Sequence, residues 1–216
     1  MRSKNLKKRQ KMSEEKQIKS KERVRNIAEV YTARKQVDDI LDLVKNHSEN
    51  VESTFLEPAC GNGNFLVAIL ERKLQRALTS LSKYSPQVIV EYTVLRALST
   101  IYGIDIMTDN VAEARDRLQF TIGEFFSNNY NTRILNENFW VSTEWVLHKN
   151  IVVGDSLNDT NNIVFQQYRS PKLLHFKITE FHFTEPQQTK TNPEHKLPKL
   201  KKHPITHYLG ISQLCS

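Results

Sequence analysis

Three carboxylates stand where this 216-residue chain could do chemistry: Glu57, Asp105 and Asp155. Glu57 sits in the string Phe55-Leu56-Glu57-Pro58-Ala59-Cys60-Gly61-Asn62-Gly63-Asn64-Phe65-Leu66. An apolar pair ends in an acid and a proline, a glycine-bearing turn follows, and an apolar helix begins. Strand, tight loop and helix start together bring backbone N–H groups close to a ligand. Gly61 and Gly63 leave room for that ligand and make positive φ available. The third glycine of a dinucleotide loop is missing, since residue 66 is Leu, and an acid at the strand end serves a pyrophosphate poorly. A carboxylate there suits a cationic ligand, such as one carrying an amino group; an ordinary strand-to-helix turn is the alternative. Asp105 closes the apolar run Ile101-Tyr102-Gly103-Ile104. In nucleoside-binding α/β folds an acid at such a place accepts two ribose hydroxyls, its two oxygens matching the diol. A helix-capping aspartate is the alternative. Asp155 closes Asn150-Ile151-Val152-Val153-Gly154 and could accept from the exocyclic amine of an adenine, with Ser156 or a backbone N–H beside it. Gly-Asp is also a common turn.

The elements that must position these acids follow from periodicity. Val37, Ile40, Leu41 and Val44 mark one face of a helix. Polar residues 46–53 read as loop, and residues 54–57 as a short strand. Phe65, Leu66, Ala68, Ile69, Leu74 and Ala77 predict a helix of about twenty residues. Residues 88–100 predict another, 101–106 a second strand, and Asp109 a cap for a third helix with Val111, Ala114, Leu118 and Ile122 inward. Asp105 lies 42 residues after Gly63, further than the roughly 20 of dinucleotide folds, and the extra helix absorbs the difference. The asparagine-rich stretch 128–138 reads as loop, 140–148 as a short helix, and 150–155 as a third strand. Partial alternation over 173–184 suggests a hairpin. Strands separated by helices predict a parallel α/β sheet, whose ligands bind beyond the carboxyl ends of the strands.

These residues resemble a known family. Glu57-Pro58-Ala59-Cys60-Gly61-Asn62-Gly63-Asn64-Phe65-Leu66 is similar to the S-adenosylmethionine loop of N6-adenine DNA methyltransferases, written (D/E)PACGxGxFL. Tyr102-Gly103-Ile104-Asp105-Ile106, followed by Val111 and Ala114-Arg115-Asp116-Arg117-Leu118, resembles the family's second motif. Gly154-Asp155-Ser156-Leu157 resembles its third. Glu29-Val30-Tyr31-Thr32-Ala33-Arg34 and Val37 resemble its N-terminal EVYTPxxVV, with Ala33 in place of the proline. The resemblance spans about residues 29–157 and points to the methylation subunits of restriction–modification systems. It implies a doubly wound, Rossmann-like class I methyltransferase sheet. It implies that Tyr31 and Thr32 lie near the methionine moiety, that Glu57, Ala59 and Gly61 line the amino-acid end, and that Gly63 belongs to the same cofactor-binding loop. Asp105 would bind the ribose, Ile106 would pack on adenine, and Asp155 would meet the adenine amine. Phe65 is expected to serve the core. The family's (D/N)PP(Y/F), which grips a flipped base, has no counterpart. Asn192-Pro193-Glu194-His195 lacks the second proline and the aromatic. The alternative to a complete enzyme is a cofactor-binding subunit that needs a partner, a restriction subunit or a second methylation subunit, carrying that motif. A methyltransferase for RNA, protein or a small molecule is the third reading.

Charge divides the chain. Residues 1–25 hold 11 Lys/Arg against 3 Asp/Glu, and residues 196–216 hold 4 Lys and no acid. The stretch between holds 16 Lys/Arg against 21 Asp/Glu. The division expected is a basic arm over 1–23, a cofactor-binding domain over 24–157 and a less ordered C-terminal extension over 158–216, hairpin plus tail. The arm is either solvated or in contact with DNA phosphates. No apolar run of membrane length and no secretory h-region occur, and Cys60 and Cys215 form no disulfide framework, so a reducing cytoplasm is expected. His203-x-x-x-His207 has zinc-like spacing but no cysteine pair, so no metal is expected. Phe176, His182 and Phe183 could stack on bases, or simply share one hairpin face.

Overall fold

The computed structural model describes residues 32–130, 135–183 and 200–215. The arm, Tyr31 and residues 192–195 lie outside them. The fold is mixed α/β, with one parallel and one antiparallel three-stranded sheet. Helix α1 (Arg34–Leu43) buries Val37 and Leu41, and the single turn α2 (Lys45–Ser48) follows where loop is expected. Ser48 supports that turn: its buried hydroxyl donates to the Leu41 and Lys45 carbonyls, adding to the backbone bonds these already accept from Val44 and Glu49.

Strand β1 (Phe55–Glu57) feeds α3 (Asn64–Leu78) and then α4 (Gln87–Leu98) before β2 (Ile101–Asp105). Two helices therefore fill the long crossover. Strand β2 feeds α5 (Thr108–Asn129) and α6 (Glu137–Asn150) before β3 (Ile151–Val153). Asp109 does not cap α5. Met107 takes that position, and Asp109 falls in the first turn, where its charge suits the helix dipole. Asn136 caps α6 instead, its side chain accepting from the Asn138 N–H at 3.0 Å.

The parallel order is β1-β2-β3, with Glu57 beside Gly103 and Asp105 beside Val153. Central β2 is apolar on both faces because both are covered. Gly103 lies under α3 so closely that a Cβ would come within 2.7 Å of Leu66 Cδ1. On the other face Tyr102 and Ile104 pack on Ile163 and Phe165. Those residues introduce the hairpin β4 (Val164–Lys172) and β5 (His175–His182), joined by β6 (Thr206–His207). The hairpin turn falls at Leu173-Leu174, with Leu174 at φ 64°, so its first strand starts upstream of the alternating stretch. Phe176 and His182 are buried, which is the hairpin-face reading of these rings. Tyr208 and Ile211 from the final 3-10 segment (Tyr208–Cys215) enter the same core cluster as α3 to α6. No helix among the described residues is long and apolar enough to cross a membrane, and none of their His, Cys, Asp or Glu side chains gather as a metal cluster.

Lys73 anchors the end of the sheet away from the three acids. It is fully buried, with Nζ 2.5 Å from the Ser53 carbonyl, 2.6 Å from the Thr100 hydroxyl and 3.3 Å from the Val51 carbonyl; the ammonium donates to all three, and the neutral amine keeps two of these bonds. It thereby ties the approach to β1 to the residue before β2. Burial pulls its pKa down from 10.5 to about 7. Between those values the unfolded chain holds the proton and the folded chain does not, so stability rises with pH through that window. Unfolding free energies from urea titrations should rise from pH 7.5 to 9.5 by up to about 1.4 kcal/mol per pH unit, and Lys73→Met should remove that component. An identical slope in the variant would disprove it.

Candidate functional site

Beyond the carboxyl ends of the parallel strands lies a cavity of about 500 Å³. Its wall includes Thr32, Glu57, Ala59, Gly61, Asp105, Ile106 and Asp155, so the structure brings seven sequence-derived candidates to one place. Gly63 is not on the wall. It is buried at φ 88°, and a Cβ there would come within 2.9 Å of the Ala114 Cβ. Contact with α5, not with a ligand, requires that glycine.

The loop is held from β2. Cys60 N–H donates to the Ile104 carbonyl at 2.8 Å, continuing the ladder past β1. Gly61, at φ 52°, turns its N–H onto Asp105 Oδ2 at 2.9 Å. Asp105 Oδ1 accepts from Met107 N–H at 2.8 Å and Asn110 Nδ2 at 3.2 Å. A carboxylate has about four acceptor positions. The protein uses three at Asp105, so the carboxylate has room for one hydroxyl rather than the two expected, unless a protein donor is displaced. Asp155 is similarly engaged. Its Oδ1 accepts from Leu157 N–H and Asn158 N–H, both at 2.9 Å, and its Oδ2 from Asn158 Nδ2 at 2.8 Å. The Asn158 side chain, with these N–H groups, holds its pKa below the usual carboxylate value. One acceptor position of Oδ2 is left over.

Glu57 differs. Its single protein donor in the loop is Ala59 N–H at 3.3 Å. Burial raises its pKa, and no neighbouring cation among the described residues offsets that penalty. It is an anionic position in the wall still lacking a counter-charge. Cys60 also lines the cavity, but its thiol is pushed up to about 12 by burial and by the nearby carboxylates of Asp105 and Glu57. It is therefore a poor nucleophile. Phe65 both touches the cavity and packs on the core.

Sequence reasoning passes over Asn62, Asn64, Asn110 and Leu157, all on the wall. Asn110 is 1% exposed, and its value lies in orienting Asp105. A polar residue one position before the inward Val111 is the signal that could have marked it. Leu157 is 87% exposed and Ile106 60%, two exposed apolar side chains on the cavity wall. Exposed apolar groups grouped at a cavity are a common mark of a ligand surface.

Gly63→Ala combines a left-handed backbone with a clash against a helix. It should destabilise the fold by about 2–4 kcal/mol, read as a lowered urea midpoint. A change below about 0.5 kcal/mol would show that the loop reshapes freely.

No protein-family model, curated protein or solved structure matches this chain.

Proposed function

We propose that the cavity binds S-adenosylmethionine and that the chain is the cofactor-binding part of an adenine-N6 DNA methyltransferase. One observation carries the reading. Glu57, Gly61, Asp105 and Asp155, which match the family's motifs in order, converge on one cavity at the carboxyl ends of parallel strands. The three strands, with helices in each crossover, read as one half of a doubly wound class I methyltransferase sheet.

The donor set fits the cofactor's chemistry. Glu57 offers an ammonium group a carboxylate that no cation among the described residues pairs. Gly61 presents no side chain where the amino-acid end would approach. Asp105 keeps one acceptor position for a ribose hydroxyl, and Asp155 keeps one for an amine. Ile106 and Leu157 are exposed apolar groups that a planar heterocycle would cover. When bound, the cofactor supplies a sulfonium methyl group for transfer to a nucleophile. The chain's own contribution is to bind and orient it, positioning rather than strong-base catalysis.

A second reading is favoured by the edge of the sheet. Strand β1 pairs with β2, and among the described residues no strand pairs with its other edge. The sequence also carries no (D/N)PP(Y/F). Both features suit a subunit completed by a partner chain that holds the base-gripping motif and recognises DNA.

Calorimetry with S-adenosylmethionine should show binding, weakened by about tenfold or more in Asp105→Ala, the loss of one charged hydrogen bond. Absence of binding by the wild type rejects the cofactor reading. Affinity should also fall as pH drops through the raised pKa of Glu57, because the ionised form is the one that pairs with ammonium. The decline begins at higher pH than for an ordinary carboxylate, and Glu57→Gln should flatten it. Tritiated methyl transfer to unmethylated DNA, with and without the product of a neighbouring gene, separates the two readings. Transfer by the chain alone rules out the need for a partner.

A further inference from the structure

The polar side chains behind the cavity form a connected relay that begins on α5. Arg117 does not line the cavity, yet its Nη1 donates to the Asn62 carbonyl at 2.9 Å and to Asn64 Oδ1 at 2.6 Å. Asn64 opens α3 and is 8% exposed. With its oxygen turned to the guanidinium, its amide nitrogen must point the other way, and it donates to the Thr32 carbonyl at 2.9 Å. Thr32 is a wall residue on the N-terminal side of the cavity. One turn before Arg117, Glu113 Oε1 accepts from Asn62 Nδ2 at 2.9 Å. Residues four apart on one helix thus hold the backbone and the side chain of the same loop residue.

The polarity of the Asn64 amide is the informative point. An amide presents an acceptor at one end and a donor at the other, and either orientation fits the same space. A cation at one end removes the ambiguity, since the flipped amide would face N–H toward guanidinium. The Arg117 guanidinium at one end and the Thr32 carbonyl at the other select the same orientation, so Arg117 fixes the near end of a side chain whose far end grips a carbonyl. The loop and the Thr32 segment, distant in sequence, are joined through that single side chain.

We infer that Arg117 is a positioning residue for the cofactor cavity, coupling the glycine loop to the Thr32 wall through the orientation of Asn64. The inference deepens the S-adenosylmethionine reading and rests on it for the identity of the ligand. The coupling itself is a property of the ligand-free chain. Arg117 touches no ligand; it acts through Asn62 and Asn64. Its loss releases the Thr32 side of the cavity, where the amino-acid end of the ligand is proposed to lie, and leaves Ile106, Asp155 and Leu157 as they are. The expected signature is selective: a ligand with the methionine moiety loses affinity, and adenosine does not.

The experiment uses the full chain and two variants, Arg117→Met and Arg117→Lys. Hydrogen exchange on the ligand-free proteins is followed at residues 32–34 and 59–65, with the β4–β5 hairpin as internal control. Calorimetry then measures S-adenosylmethionine and adenosine. Arg117→Met should speed exchange at both segments and leave the hairpin unchanged. It should weaken S-adenosylmethionine about tenfold, the scale of a lost charge-assisted hydrogen bond, and adenosine less than about twofold. Arg117→Lys keeps the charge but not the fork, so it should fall between wild type and Arg117→Met in both measurements. Unchanged exchange at residues 32–34, or equal loss of both ligands, overturns the coupling. If Arg117→Met does not fold, Arg117→Lys decides by the same two criteria. If the wild type binds neither ligand, the cofactor reading fails, and the exchange comparison alone upholds or overturns the relay.

Discussion

The cavity depends on the hydrogen bond from the Gly61 N–H to the Asp105 carboxylate. It joins the loop after one strand to the end of the next, across the mouth of the crevice that parallel sheets leave at their carboxyl ends. The bond is charge-assisted, and the same carboxylate also takes the Met107 N–H and the Asn110 amide. Asp105 therefore shapes the loop, caps the backbone entering α5 and keeps an acceptor position toward the cavity. The wall can be preorganised because its acid is already fixed by protein donors before any ligand arrives.

Helix α5 is the frame against which that arrangement is measured. Ala114 sets how near the loop can come, since its methyl allows no Cβ at residue 63. Glu113 and Arg117 flank Ala114 and hold Asn62 and Asn64. Close packing and polar contacts thus come from one stretch of helix. A loop carried this way gains accuracy from a rigid element rather than from its own sequence, and this is the way binding residues on loops are commonly placed.

The strands, their order of appearance and the convergence of their acidic ends were legible because apolar runs and glycine loops are local signals. The role of Gly63 was not legible, because a ligand and a packed helix both ask for a residue without Cβ. Asn110, Asn64 and Arg117 escaped for another reason. Each is a polar residue on a helix, and a polar residue turned inward to a protein partner looks the same in sequence as one turned to water. The hairpin was found late in its own length because alternation needs one buried and one exposed face. In β4, Phe165 and Gln166 are buried in succession, Gln166 being satisfied by the Trp145 indole N–H and the Tyr168 hydroxyl. The doubly wound sheet that the resemblance implies is present only in part, as three parallel strands with helices in each crossover among the described residues.

The outer edge of β1 has a further consequence, for the chain's behaviour in concentrated solution. An unpaired strand edge is a template for adding copies end over end, and long, flat, apolar edges lead to aggregates. Here the strand is only three residues long, Phe55–Glu57. It ends in a carboxylate, and Pro58, which has no N–H to offer, stands immediately after it. Brevity, charge and proline are the features that protect natural sheet edges. The same residues that build the entrance to the cavity therefore also limit self-association at the β1 edge, which no strand among the described residues covers.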